Sequence, residues 1–214
     1  MDYAAVIEQL PPGSTLVMHD FSWDEYEALL ESVGEAKGLR ISFDQGTVQI
    51  MTISSEHENM ADLIHDLVRL VSLRWRIKIL SFGSATMRKR RKAKGSEPDC
   101  CFYVQSADLL GKKKRLDFSK DPPPDIVVEV DVHHDSSSKF PIYAALGVGE
   151  LWRYDGQTLT MYHLQQDEYV AAESSRALPM LTARVLTEFL TRSQQADQYE
   201  TLLAFEQWLQ TQKP

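Results

Sequence analysis

The run DIVVEVDV, residues 125–132, constrains the fold of this chain more than any other stretch. It follows Pro122-Pro123-Pro124, is rich in β-branched residues, and is short for a helix. No hairpin partner adjoins it. A strand of this kind sits inside a sheet covered by helices. Alternation puts Ile126, Val128, Val130 and Val132 on one face. Asp125, Val127, Glu129 and Asp131 fall on the other. Carboxylates in a central strand are costly unless paired or metal-bound. The three acids therefore mark either a strand end meeting solvent and basic partners, or a site.

The other elements follow from local signals. Ser22-Trp23-Asp24-Glu25 reads as a capping box opening a helix to about residue 34. LRISFDQGTVQIMTI reads as a hairpin turning at Asp44-Gln45-Gly46. Ser55-Glu56-His57-Glu58 reads as a second capping box, opening a long helix with Met60, Leu63, Ile64, Leu67, Val68 and Val71 on one face. Short strands are expected near 77–82 and 99–104, separated by a basic loop. A helix over roughly 137–146 precedes a hairpin turning at Asp155-Gly156. Two helices follow residue 183. The last has an apolar face through Phe205, Trp208 and Leu209 that would dock on the chain's own sheet or join a homodimer. Mixed helices and strands make the class α/β or α+β. One domain is expected over 1–214, with a core at about 38–165 and a C-terminal helical extension at about 183–212.

Asp99 adds a carboxylate from a second strand. Glu97-Pro98-Asp99 leads into DCCFYV, and if that strand lies beside 125–132, Asp99 and Glu129 converge. Same-face neighbours on one strand lie ~6.6–6.8 Å apart, so Glu129 and Asp131 can reach one ion or water. Asp125 is too distant to share it. Hard oxygen ligands suit Mg²⁺ or Mn²⁺. Lys139, at the start of the next helix, has a stem long enough to return its ammonium over these acids. Two carboxylates, a metal and a lysine beside a basic groove suit phosphodiester cleavage.

The charge is unevenly spread. The net charge of −8 opposes bulk attraction to nucleic acid, yet residues 69–94 hold ten basic residues and no acid. Arg88, Lys89, Arg90, Arg91, Lys92 and Lys94 are the densest part, either a phosphate-binding footprint or a solvated face. The adjacent Cys100 and Cys101 read as reduced thiols of a cytoplasmic protein. MDYAAVIEQL lacks the pattern of a signal peptide, and no apolar run is long enough to span a bilayer. His133 and His134 point to opposite sides of an extended chain, which disfavours a shared zinc. His134 contacting substrate phosphate or the metal's water, or a plain solvated loop, are the other readings.

The blocks EPDCCFYVQ, DPPPDIVVEVDV and SSKFPIYAALGVGELWRYDGQTL, with SSEHENMADLIHDLV before them and LLAFEQWLQ after, resemble the Uma-type family of restriction-endonuclease-like proteins. That family lies within the PD-(D/E)-x-K nuclease superfamily. The resemblance covers roughly residues 15–210. It implies a mixed β-sheet flanked by helices, with metal-binding acids on two neighbouring strands. It makes Asp99 the PD aspartate and Glu129 the following acid. The position two after Glu129 is Asp131 rather than lysine, and Lys139 looks like a migrated lysine. Asp131 is then a third ligand or a partner of Lys139. Glu58, with His57, is the helix-borne acid, or the cap partner of Ser55. The implied activity is Mg²⁺-dependent cleavage of DNA. The alternative is a catalytically silent nuclease-fold module that binds nucleic acid or a partner protein.

Overall fold

The computed structural model describes residues 6–7, 9–34, 38–132 and 135–212. The elements run β1 (Thr15–Met18), α1 (Trp23–Val33), β2 (Leu39–Asp44), β3 (Thr47–Thr52), α2 (Ser55–Trp75), β4 (Leu80–Ser81), β5 (Met87–Lys89), β6 (Lys94–Ser96), β7 (Cys100–Tyr103) and α3 (Ala107–Leu110). They continue with β8 (Ile126–Val130), α4 (Phe140–Leu146), β9 (Glu150–Tyr154), β10 (Leu159–Gln165), β11 (Glu168–Ala172), α5 (Ala183–Gln195) and α6 (Gln198–Thr211).

The expected α/β class holds, but the strands form two sheets. One is antiparallel, in the order β1-β3-β2-β6-β5; the other is ordered β11-β10-β9-β8-β7-β4. In the second sheet β8 lies between antiparallel β7 and parallel β9. A parallel pair needs a crossover, which the segment carrying Lys139 and α4 supplies. Both faces of β8 are buried. Ile126, Val128 and Val130 join the core formed with α2, α5 and α6, while Val127 packs with Ile142, Tyr143 and Leu146 of α4. The expectation of a covered central strand is met.

Several local readings need correction. Ser54, not Ser55, caps α2, accepting from the His57 N–H at 3.2 Å. Counting from that cap puts His57 at the third helical position, so Glu58 has no capping role and is exposed. The basic stretch is not a loop: β5, a 3-10 turn over Arg90–Lys92, and β6 form a hairpin paired with β2. β1, β11 and α3 were not foreseen. The final helix buries Phe205 and Leu209 in the chain's own core, where it packs chiefly on α2 and α5. The first hairpin is as expected: Gln45 and Gly46 have φ of +46° and +99°, the left-handed pair that a two-residue turn demands. No helix among the described residues is long and apolar enough to cross a membrane.

Candidate active site

The site forms around the link that leads from β6 of one sheet to β7 of the other, beside the first turn of α2 and the start of α4. Pro98 delivers Asp99 to the head of β7. There the Asp99 N–H donates to the Val128 carbonyl at 3.0 Å, and the Val130 N–H donates to Asp99 Oδ2 at 2.8 Å. Asp99 is thus bound directly to the strand that carries Glu129. Two further donors converge on it. Arg40 Nε, from β2, lies 2.9 Å from Oδ1, and His57 Nε2, from the first turn of α2, lies 3.0 Å from Oδ2. An ionised carboxylate only accepts, so His57 carries its proton on Nε2.

Glu129 is 1% exposed and is held at both oxygens. Lys139 Nζ donates to Oε2 at 2.8 Å, and the Tyr143 hydroxyl donates to Oε1. Tyr143 accepts in turn from Ser96 Oγ at 3.0 Å. Lys139 is also 1% exposed, an environment that only a paired ammonium tolerates. Lys139 and Tyr143 are four residues apart and so lie on one face of the α4 turn. This geometry returns the lysine head to the strand.

The electrostatics follow from burial and pairing. Burial pushes the Asp99 carboxyl up, but His57, Lys139 and Arg40 together outweigh it and hold Asp99 at about 2. Burial also raises Glu129, and there it prevails over the opposing pull of Lys139, helped by repulsion from Asp99, giving about 7. Burial alone would lower Lys139. Glu129 and Asp99 reverse that, and the ammonium is raised. Glu129 and Lys139 both shift toward the protonated form, so the pair holds its protons tightly. Burial raises the Tyr143 phenol as well, leaving it a donor.

Asp99, Glu129, Lys139 and His57 are therefore brought together. Asp131 and Glu58 are not part of that cluster. Asp131 Oδ2 accepts from Ser136 N and Ser136 Oγ, both at 3.0 Å, and is ion-paired with Arg153. It makes no hydrogen bond or ion pair with Lys139, whose ammonium goes to Glu129 and the Glu97 carbonyl. Asp125 answers the strand question differently: its Oδ2 accepts from Val104 N at 2.6 Å, Ser106 N at 3.1 Å and Ser106 Oγ at 2.9 Å, closing the end of β7. Glu58 lines a cleft of about 680 Å³ together with Arg40, Thr86 and Glu97. A neighbouring cleft of about 850 Å³ shares Thr86 and Glu97 and adds Arg88 and Arg90. His133 and His134 lie outside the described residues.

The basic hairpin is largely occupied. Arg90 pairs with Asp24 at 2.6 Å and Glu27 at 3.5 Å, and Lys94 pairs with Asp44. Lys89 and Lys92 donate to the carbonyls of Leu146 and Ala145, capping the C-terminus of α4. Arg88 and Arg91 are exposed and have no hydrogen-bond or ion-pair partner among the described residues.

The sequence reading missed Arg40, Ser96 and Tyr143. Tyr143 had a usable signal, its spacing of four from Lys139. Arg40 had none, since only tertiary pairing of β2 with β6 brings it to Asp99.

The described residues include no cluster of three or more His, Cys, Asp or Glu side chains arranged around one ion. The donor chemistry nevertheless fits a small hard cation. A carboxylate offers about four acceptor directions; Asp99 uses three and Glu129 two, which leaves oxygen capacity between them. Mg²⁺ needs only one or two protein carboxylates and keeps several waters.

A mixed sheet flanked by helices, with acids at the neighbouring strands β7 and β8, is what the resemblance to restriction-endonuclease-like proteins implied. The chain belongs to the Uma2 family, described as "Putative restriction endonuclease", whose model matches residues 23–197. Among solved structures it is similar to a "putative nuclease belonging to DUF820 from Anabaena variabilis ATCC 29413". That likeness has a TM-score of 0.55 at 16% identity and covers 79% of this chain and 99% of that one. It speaks for the fold alone. No curated protein matches the chain.

Proposed function

We propose that this protein is a Mg²⁺- or Mn²⁺-dependent hydrolase of phosphodiester bonds in DNA. The observation that carries the reading is the junction at Val130: its N–H ties Asp99 to the Glu129 strand, while Lys139 closes on Glu129 at 2.8 Å. Asp99 and Glu129 would hold the cation. When bound, the cation supplies Lewis-acid charge and a more acidic water. Lys139, kept protonated by its two acidic neighbours, serves as a hydrogen-bond donor to the attacking water and the phosphate, not as a base. Tyr143 fixes the Glu129 rotamer, and Arg40 holds Asp99 while facing the cleft. Arg88 and Arg91 are the two cations of the hairpin available to phosphate.

The test is nicking of supercoiled plasmid with Mg²⁺ or Mn²⁺, comparing wild type with Glu129→Gln and Lys139→Met. Cleavage that disappears in both folded variants supports the reading. Cleavage that persists in both places the chemistry elsewhere. One observation favours a second reading, a silent nucleic-acid or protein-binding module: every site carboxylate is already charge-paired, and four of the six hairpin cations have internal partners. Salt-dependent DNA binding without cleavage by wild type would favour it.

A further inference from the structure

We propose that Asp131, Arg153 and Ser136 form a latch that positions Lys139 over Glu129. The proposal rests on the hydrolase reading of the same site and extends it to residues outside the reacting cluster.

The row Val127, Glu129, Asp131 faces α4, and the chain returning from β8 meets it in reverse order. Val127 packs with Ile142 and Leu146, and Glu129 is bound by Tyr143 and Lys139. Asp131 is bound by Ser136. The latch is therefore the last rung of a ladder whose middle rung is the site. Ser136 is fully buried, and its carbonyl accepts from the Lys139 N–H at 2.8 Å. Fixing Ser136 fixes the 3-10 turn Ser137–Lys139, and with it the origin of the lysine stem.

Arg153 holds the arrangement from the neighbouring strand. It stands opposite Glu129 in the parallel β8–β9 register. Its Nε pairs with Asp131, and its Nη2 reaches Asp135 at 3.2 Å, so one guanidinium bridges the strand end and the segment before Ser136. A planar fork makes two such contacts at once. Asp131 is anchored on its other side by its own N–H, which donates to the Tyr154 carbonyl at 2.6 Å. Among the described residues Asp131 Oδ1 has no hydrogen-bond partner, so the side chain is restrained through Oδ2. A lysine two residues after the glutamate would share its strand and need no such device. A lysine ten residues away needs the return path fixed.

The experiment reads Lys139 directly. The full-length protein is treated with a limiting amine-acetylating reagent in EDTA, and modification is followed by peptide mass spectrometry against the exposed Lys112 and Lys114. In Asp131→Asn and Arg153→Gln, Lys139 acetylation rises roughly tenfold, as expected for a local opening made about 1.4 kcal/mol easier. Arg153→Lys keeps a cation beside Asp131 but loses the fork that also reaches Asp135, and gives a rise smaller than that of Arg153→Gln. Ser136→Ala, which removes one hydroxyl and disturbs the fold least, gives a smaller rise. Thiol labelling of buried Cys100 remains at the wild-type level, which separates release of the latch from general loosening. In parallel nicking assays kcat falls about 10–100-fold with KM unchanged, the cost of misplacing a catalytic group by about 1 Å.

Unchanged Lys139 protection in Asp131→Asn and Arg153→Gln overturns the latch. So does a rise matched by equal exposure of Cys100. If wild type cleaves nothing but acetylation follows the latch, the hydrolase reading falls and the latch stands. If wild type cleaves and neither readout responds, the latch falls and the hydrolase reading stands.

Discussion

Lys139→Met removes the ammonium and keeps the length of the stem, leaving a buried carboxyl with Tyr143 as its remaining side-chain donor. Breaking one partner of a buried pair costs about 3–5 kcal/mol when the orphan must stay charged. Glu129 has an escape, since it can take a proton. Its folded pKa of about 7 lies above the ordinary 4.5. The folded state therefore binds more protons than the unfolded chain between those values, and stability falls as pH rises through that window. In wild type the fall ends near pH 7. In the variant the lowering influence of Lys139 is gone, the folded pKa moves higher, and the fall continues at about 1.4 kcal/mol per pH unit. The stability gap between the two proteins is thus wider at pH 9 than at pH 6 by up to about 3 kcal/mol. In melting temperature that widening is about 5–12 °C for a chain of this size. Urea unfolding in EDTA at pH 6, 7, 8 and 9 measures it. The double variant Glu129→Gln/Lys139→Met has no carboxyl to titrate, and its curve shows no added slope above pH 7. A gap that is the same at pH 6 and pH 9 would refute the reasoning, because the lysine would then not govern the charge on Glu129.

Asp99 acts in the opposite direction. Its carboxyl is held near 2, below the ordinary 3.8, so its contribution of about 2 kcal/mol is complete above pH 4 and is lost as the pH falls toward 2; acid titration of Asp99→Asn, followed by circular dichroism, should lack that limb. Gly95 lies under Tyr26, where an added Cβ would clash with the phenol hydroxyl. Gly95→Ala should cost about 1–3 kcal/mol in urea unfolding. Because the Tyr26 hydroxyl is buried with no hydrogen-bond partner among the described residues, Tyr26→Phe should be near neutral alone and should recover part of the Gly95→Ala loss. In the basic hairpin, Arg88→Gln with Arg91→Gln should weaken DNA binding and flatten its salt dependence without moving the melting temperature. Lys89→Met should lower stability by up to about 1 kcal/mol through loss of its bond at the end of α4, with little change in the salt slope.

What the sequence made legible was local. The β-branched run identified β8, the Gln45-Gly46 and Asp155-Gly156 turns identified two hairpins, and the proline before Asp99 marked where a second carboxylate enters a strand. Each signal is read within a few residues. The departures share a cause, which is distance along the chain. Arg90 looked free because Asp24 and Glu27 lie 66 and 63 residues away, and Lys94 because Asp44 lies 50 away. Arg40 is 59 residues from Asp99. Nothing short of the tertiary fold brings these charges together. Asp125 shows the converse limit. Face alternation put it in line with Glu129, but alternation says nothing of where a strand ends, and Asp125 closes β7 instead.

The charge at position 131 explains how one site can be built around a displaced lysine. An acid two residues after Glu129 on the same strand face would repel it, and both would lie buried. Arg153, opposite Glu129 on β9, neutralises Asp131 at the same oxygen that accepts from Ser136. The acid that would have spoiled the site is thereby used to hold the turn from which Lys139 reaches back. Sequence separation between glutamate and lysine is then a weak constraint on the chemistry. What the proposed chemistry asks for is an ammonium beside Glu129, here at 2.8 Å, and a short turn held at a buried serine would supply it as well as the next residue but one on the strand.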